Sequence, residues 1–320
     1  THIGTQIPAT LLPNVTTIAN GSVMYLPEGT NHLVFTNPNT GCIDEITVIV
    51  GTPSPKVYVA SRVFLQGALS GNLMRDDLRV QGLLPLQEPY SNYNPITGVF
   101  KFVHFGTGGG ETTTPSVLAT TGADAIVDWV FLELRAHDDS TEIVSTRSAL
   151  IQRDGDIVDM DGFSPVGFDV PNGDYYLVIR HRNHLGIMTE SPMALTPLVT
   201  TVDFTDINTP IYGMNALKDM GNGVIAMWGG DVNADGNLTF QGGNNDPDAI
   251  FFQVILAPGN LGFDQNYIYA GYHHGDANMD GETIYQGNNN DVDFMIFFNV
   301  LSNPENPNFV INKVFSEKLP

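Results

Sequence analysis

Two stretches in the last third of the chain place oxygen-bearing side chains at alternate positions and close them with glycine. The first runs Gly230-Asp231-Val232-Asn233-Ala234-Asp235-Gly236, then through Phe240-Gln241-Gly242 to Asn245-Asp246-Pro247-Asp248. The second runs Gly275-Asp276-Ala277-Asn278-Met279-Asp280-Gly281, then through Tyr285-Gln286-Gly287 to Asn290-Asp291-Val292-Asp293, and every matched position is offset by 45 residues. Alternation points successive oxygens at one centre and glycine permits the sharp turn around it. That arrangement is chemistry for holding a hard cation.

In an EF-hand-type loop, positions 1, 3 and 5 supply side-chain oxygens and position 7 a backbone carbonyl. Here they are Asp231, Asn233, Asp235 and Asn237, and again Asp276, Asn278, Asp280 and Glu282. Gly242 and Gly287 stand where the bidentate acid at position 12 belongs, so the closing carboxylate comes later. Asp248 and Asp293 are the favoured closers, because each opens an apolar helical run that would fix it. Asp246 and Asp291 are second candidates. All-oxygen donors and an irregular loop favour calcium, at two sites, over magnesium or zinc. Asn, Asp and Gly also build turns that hold no ion, but two copies in one register argue against that reading. No Lys or Arg occurs between Lys218 and Lys313, so a divalent cation is the natural neutraliser of the acids. The runs 249–256 and 294–301 have helical apolar spacing and are expected to pack on each other.

These tandem loops, each followed by a helix, resemble a dockerin-type module over about residues 223–320. The D-x-N-x-D-G, Y-x-G and N-D-x-D sequence is closest to a variant at the C-termini of large secreted Bacteroidetes-type proteins. The resemblance implies calcium-dependent folding and, for true dockerins, a cohesin partner; the lengthened loop departs from the true dockerin pattern. Leu26 to Val50 resembles the last strands of Ig-like repeats in bacterial surface adhesins. Phe64-Leu-Gln-Gly, Leu73-Met-Arg-Asp-Asp-Leu-Arg, Ala125-Ile-Val-Asp-Trp-Val and the run from Arg180 to Thr189 resemble a β-domain that precedes the same module in such proteins.

Composition agrees with an extracellular β-rich protein. The 320 residues carry a formal net charge of −22, which argues against nucleic acid and anionic membranes as partners. Hydrophobic content of 42% argues for a folded chain. No apolar run is long enough to span a membrane. The single cysteine, Cys42, cannot form an intrachain disulfide and is expected as a buried thiol. The chain begins at Thr1, which points to an upstream segment removed or left out, and millimolar extracellular calcium suits loops of this kind, so secretion to the cell surface is expected.

The expected fold class is mainly β: antiparallel β-sandwich domains, Ig-like or jelly-roll-like, with a small C-terminal calcium-loop and helix module. Residues 1–52 read as an Ig-like segment too short for a whole sandwich and open to completion by a neighbouring chain. Residues 53–206 read as a β-sandwich domain starting in the linker Thr52-Pro-Ser-Pro55. Its strands are expected at Val57–Gln66, Val99–Phe105, Ala125–Arg135, Glu142–Ile151 and Tyr175–Arg182, with hairpin turns at 154–156 and 171–174. Residues 207–222 read as a linker and 223–320 as the calcium module.

Other constellations carry less. His181 and His184 are expected on different sides of their segment, and His273-His274 in surface or packing roles. Asp154, Asp156, Asp159 and Asp161 read as a solvated hairpin tip. Trp129 and Trp228 read as core residues, although an exposed Trp228 would reopen carbohydrate binding. No nucleophile–base or paired-carboxylate arrangement stands out, so no catalytic residue and no organic cofactor is expected. The leading expectation is a non-catalytic secreted structural or adhesive protein, possible in a sharper form as a head-to-tail filament built by strand complementation. Its partners would be further copies or another cell-surface protein. The rival is an accessory module of a larger secreted enzyme, binding a protein partner or a glycan.

Overall fold

The computed structural model describes residues 26, 29–36, 40–50, 56–91 and 102–320. The chain divides into two compact units, 1–54 and 55–320. The fold is mainly β, and all but one of its strand pairings are antiparallel.

In the first unit, β1 (Gly29–Thr36) and β2 (Ile43–Val50) form an antiparallel hairpin in unbroken register from Gly29–Val50 to Thr36–Ile43. Ile43 and Ile46 are exposed on it. Cys42, expected to be buried, is exposed, because it lies in the hairpin's connection. Of the Ig-like segment read at 1–52, residues 1–25, 27–28, 37–39 and 51 fall outside the described residues, as does the linker 52–55.

The second unit is organised on one large sheet. Its strands are β3 (Val57–Arg62), β6 (Ile126–Ala136), β7 (Ile143–Gln152), β8 (Asp156–Val158), β9 (Val166–Phe168), β10 (Gly173–His181), β11 (His184–Met188), β12 (Met193–Leu195) and β13 (Val199–Asp203), with the small hairpin β4 (Leu69–Ser70) and β5 (Leu73–Met74) and the single turns α1 (Asp77–Val80) and α2 (Pro115–Leu118) packed around it. The order is β11-β10-β6-β7-β8-β3-β13, with β12 on β10 and β9 on β3. The β3–β13 pair is parallel. Four of the five expected strands are present; residues 102–105 belong to no strand. The turn at 154–156 forms, with Gly155 at φ 96° donating to the Gln152 carbonyl. Residues 171–174 do not make a hairpin, because β9 pairs with β3 while β10 pairs with β6.

Strand β6 explains why the sheet is covered. Its sequence, Ile-Val-Asp-Trp-Val-Phe-Leu-Glu-Leu-Arg-Ala, is a near-continuous apolar and aromatic run, and only Ala136 escapes full burial. A strand of that kind needs cover on both faces. Phe131 meets Tyr90, Phe102 and His104 with ring centroids 4.9 to 5.4 Å apart. The Trp129 indole donates to the Pro85 carbonyl and Tyr90 Oη to the Trp129 carbonyl. Residues 84–91 and 102–105 therefore form a lid over the sheet.

Residues 207–222, expected as a linker, are bound to the body. Ile211 bridges Thr189, and β14 (Leu217–Gly221) pairs with β15 (Val224–Met227). The region beyond contains β16 (Asn237–Thr239), α3 (Asp246–Ile255), β17 (Tyr269–Ala270), β18 (Glu282–Thr283), α4 (Phe298–Ser302) and β19 (Val314–Ser316). It has its own core, in which Ile250 and Val254 of α3 pack with Ile296, Val300, Trp228, Leu238 and Phe315. Trp228 is thus interior, its indole donating to the Asn215 carbonyl.

The two helical arms differ by one residue. In the first, Asn260 donates to the Val254 carbonyl; in the second, Asn306 donates to the Val300 carbonyl. The offset has grown from 45 to 46 (306 − 260 = 46). The extra residue is absorbed at Val292–Phe297, which winds as a π-helix ahead of α4, the usual way a helix takes in an insertion without shifting the residues beyond it.

If the lid over β6 is part of the core, Phe131→Ala will destabilise the protein by about 3–5 kcal/mol in urea unfolding. A loss below about 1 kcal/mol would contradict a packed lid.

Candidate metal centres

The two acidic loops repeat one another bond for bond. In the first, Asp235 N–H donates to Asp231 Oδ1 (3.1 Å) and Asn233 Oδ1 (2.9 Å), Gly236 N–H to Asp231 Oδ2 (3.1 Å), and Asn237 N–H to Asp235 Oδ1 (2.9 Å). In the second, Asp280 N–H donates to Asp276 Oδ1 and Asn278 Oδ1 (both 3.0 Å), Gly281 N–H to Asp276 Oδ2 (2.9 Å), and Glu282 N–H to Asp280 Oδ1 (3.0 Å). The backbone repeats as well. Ala234 and Met279 have φ of 52° and 60°, Gly236 and Gly281 of 78° and 90°. A non-glycine residue rarely adopts a left-handed conformation, so its recurrence at one loop position in both copies reflects a shared demand. Each loop thereby folds its backbone N–H groups back onto its own carboxylate and amide oxygens.

The two candidate closers of each loop sit differently. Asp246 is fully buried and accepts from Val232 N–H (3.0 Å) and Thr239 N–H (2.8 Å) across the loop. Asp291, equally buried, accepts from Ala277 N–H, Asn278 N–H and Ile284 N–H at 2.7 to 3.1 Å. Asp248 and Asp293 are exposed and do other work. Asn245 caps α3 by accepting from Asp248 N–H (2.9 Å) while its amide donates to Asp248 Oδ2 (2.8 Å), and Asn290 and Asp293 repeat this at 2.8 and 3.0 Å. That is a reciprocal cap whose return bond runs to the side-chain amide, where a capping box uses the backbone N–H. Three residues beyond the cap, a side chain bends back to it; Asp246 and Asp291, two residues earlier in each Asn-Asp-x-Asp run, turn into the loop.

Electrostatics set the demand. Burial pushes the Asp231 carboxyl well above its usual range, reinforced by Asp235 and Glu317. Asp246 is pushed up by burial and then by Asp231, and Asp291 by burial and then by Asp276. Asp276 rises only to about 7, because Arg182 opposes its burial. Buried carboxylates at such separations need protons or a cation. The acids of one loop do not place three oxygens within 4.8 Å of one another, so a bound cation would also draw on Asn233, Asn278 and the carbonyls of Asn237 and Glu282. That mixed all-oxygen set, irregular in geometry, suits a large hard cation.

The structure gives these loops partners that the sequence pattern does not assign to them. Glu317 lies just beyond β19, which pairs with β16, and its carboxylate accepts twice from Arg180 at 2.9 Å beside the first loop. His274 joins the loops, its Nδ1 2.6 Å from the Val232 carbonyl and its Nε2 3.1 Å from Gln253 of α3. Arg182 is fully buried and donates to Asp128 Oδ2 (3.0 Å) and to the His273 carbonyl, while Tyr272 Oη donates to Asp128 Oδ1 (2.6 Å). Asn183 donates to the carbonyls of His274 and Asp276.

His181 and His184, expected on different sides, are cross-strand partners whose Nδ1 atoms lie 2.9 Å apart. Gly67 N–H donates to His184 Nε2, so the neutral His184 ring carries its proton on Nδ1, which faces both Asn183 Oδ1 (2.7 Å) and His181 Nδ1, while His181 Nε2 lies 3.1 Å from Asp128 Oδ2. Burial lowers the pKa of both rings and keeps them neutral. The whole relay is closed to solvent, which makes it a structural network. Asp154, Asp156, Asp159 and Asp161 do not gather: Asp159 pairs with Arg147 (2.8 Å), and Asp161 accepts from Phe163 and Ser164.

Comparison with protein-family models, with curated proteins and with solved structures finds no match to this chain.

Two measurements check these centres. In calcium-containing buffer, Asp246→Ala and Asp291→Ala will each cost about 2 kcal/mol or more in urea unfolding by orphaning buried N–H groups, against about 1 kcal/mol for Asp248→Ala and Asp293→Ala as lost caps; the reverse ranking would return the closing role to Asp248 and Asp293. In chelator, the raised Asp276 carboxyl (about 7) adds stability that is present at low pH and lost as pH rises through that value. The melting temperature of metal-free protein will therefore fall between about pH 4 and about pH 7, and a flat or rising profile would contradict the buried acid.

Proposed function

We propose that this chain is a calcium-stabilised, non-catalytic structural or adhesive protein of the cell exterior, with β-sandwich-type domains and a dockerin-like C-terminal region. The carrying observation is the bond-for-bond equivalence of the two loops, each with a buried carboxylate delivered from the first turn of a helix. A cation at each centre neutralises acids that otherwise repel, and binding energy to a site that exists only in the folded state is folding energy. The absence of Lys or Arg from residues 219–312 leaves the neutralisation to the cation and to Arg182. On this reading the region fixes the end of the chain rather than turning over a substrate. The adhesive part rests on the first unit. There β1 and β2 pair only with each other among the described residues and expose Ile43 and Ile46, and a two-stranded hairpin is marginal without further cover. Strand addition from a neighbouring copy supplies that cover and builds a filament.

Calcium chelation will lower the melting temperature and open residues 223–320 to protease before the rest of the second unit; an unchanged cleavage pattern in chelator would remove the calcium assignment. Negative-stain microscopy with calcium present will show linear polymers, and dispersed monomers at all concentrations would remove the filament while leaving the calcium centres standing.

A further inference from the structure

A second kind of donor cluster lies away from the loops, under the lid segment. Glu88, His104 and Glu111 offer ligand atoms within 4.8 Å of one another, the one such trio of His, Cys, Asp or Glu among the described residues. Their side chains are 0, 12 and 8% exposed.

The hydrogen-bond network suits a metal on the ring. Thr146 Oγ1 accepts from Phe105 N–H (2.9 Å) and lies 3.3 Å from the Phe105 carbonyl. A metal on Nε2 requires the proton on Nδ1, and Thr146 Oγ1, 3.2 Å from Nδ1, is placed to accept it. His104 Nε2 is then shielded from solvent, has no hydrogen-bond partner among the described residues, and lies 3.7 Å from Glu88 Oε2. A nitrogen lone pair aimed at a carboxylate oxygen is repulsive, so either a proton or a metal cation stands between them. The separation is close to the about 3.3 Å between two ligands of one tetrahedral zinc.

Both carboxylates are held as ligands usually are, by donors behind them. Glu88 accepts from Tyr90, Ser91 and Gly110 N–H at 2.7 to 3.0 Å. Glu111 accepts from Gly109 and Ser148 N–H and from Arg147 Nε at 2.9 to 3.2 Å. An imidazole nitrogen with two carboxylates is a poor set for calcium and a good one for a borderline transition ion.

We propose that Glu88, His104 and Glu111 bind one divalent transition metal of the zinc class, clamping residues 102–113 onto β7. The metal is chemically distinct from the hard cation of the loops, so the two can be tested apart. The full chain, stripped of metal and then saturated with calcium, is titrated with cobalt(II) and back-titrated with zinc. One equivalent of cobalt will give the visible absorption of a tetrahedral nitrogen–oxygen site, zinc will abolish it, and zinc will shift the His104 Nε2 resonance in nitrogen NMR. Folded His104→Ala and Glu111→Gln, checked by circular dichroism, will bind cobalt at least tenfold more weakly. No saturable cobalt spectrum in the wild type, an unmoved His104 resonance, or unchanged affinity in either folded variant would overturn the site and leave His104 as a doubly protonated partner of Glu88.

Discussion

The second unit depends on one buried ion pair. Asp128 and Arg182 are each fully removed from water. Burial would raise the Asp128 carboxyl, but Arg182, then His181 and Tyr272, hold it down at about 2. Desolvating two charges offsets much of their attraction, so the importance of the pair lies in what it ties together. Asp128 belongs to the central strand β6, Arg182 to the turn between β10 and β11, and the remaining partners, Tyr272 and the His273 carbonyl, to the approach to the second acidic loop. Sheet and loop region thus share an interior, and residues 55–320 form one compact unit.

The same guanidinium makes the two loops unequal. Asp276 lies within its field, whereas Asp231 faces Glu317 instead, itself held by Arg180. Loops with identical internal bonds therefore sit in opposite electrostatic settings. Near-identical local sequence sets the cage, while distant residues set how strongly its acids resist ionisation.

Much of this is legible in the residues. The repeat, its alternating oxygens, the helices behind it and four strands of the main sheet come from spacing and side-chain type. Which acid turns into the loop is hard to read because Asn-Asp-Pro-Asp and Asn-Asp-Val-Asp each hold two carboxylates near a helix start. Spacing alone does not say which one bends back to the cap. His181 and His184 are misplaced when strand alternation is applied across a turn. Cross-strand partners share a side, and the register break between Ile179 and His181 places these two opposite each other. The partners of Glu317 and Arg182 are invisible for a plainer reason: they lie 137 and 54 residues away, and no local pattern carries contacts of that range.

The π-wound turn at Val292–Phe297 shows how such a repeat grows apart without failing. An ordinary inserted codon would rotate everything downstream by about 100° on the helix and carry Val300 out of its apolar seat. A single wide turn swallows the surplus, so the asparagine latch beyond it closes as it does in the sister copy. Duplicated cages linked by helices of this kind can drift in length while their anchoring geometry is inherited intact.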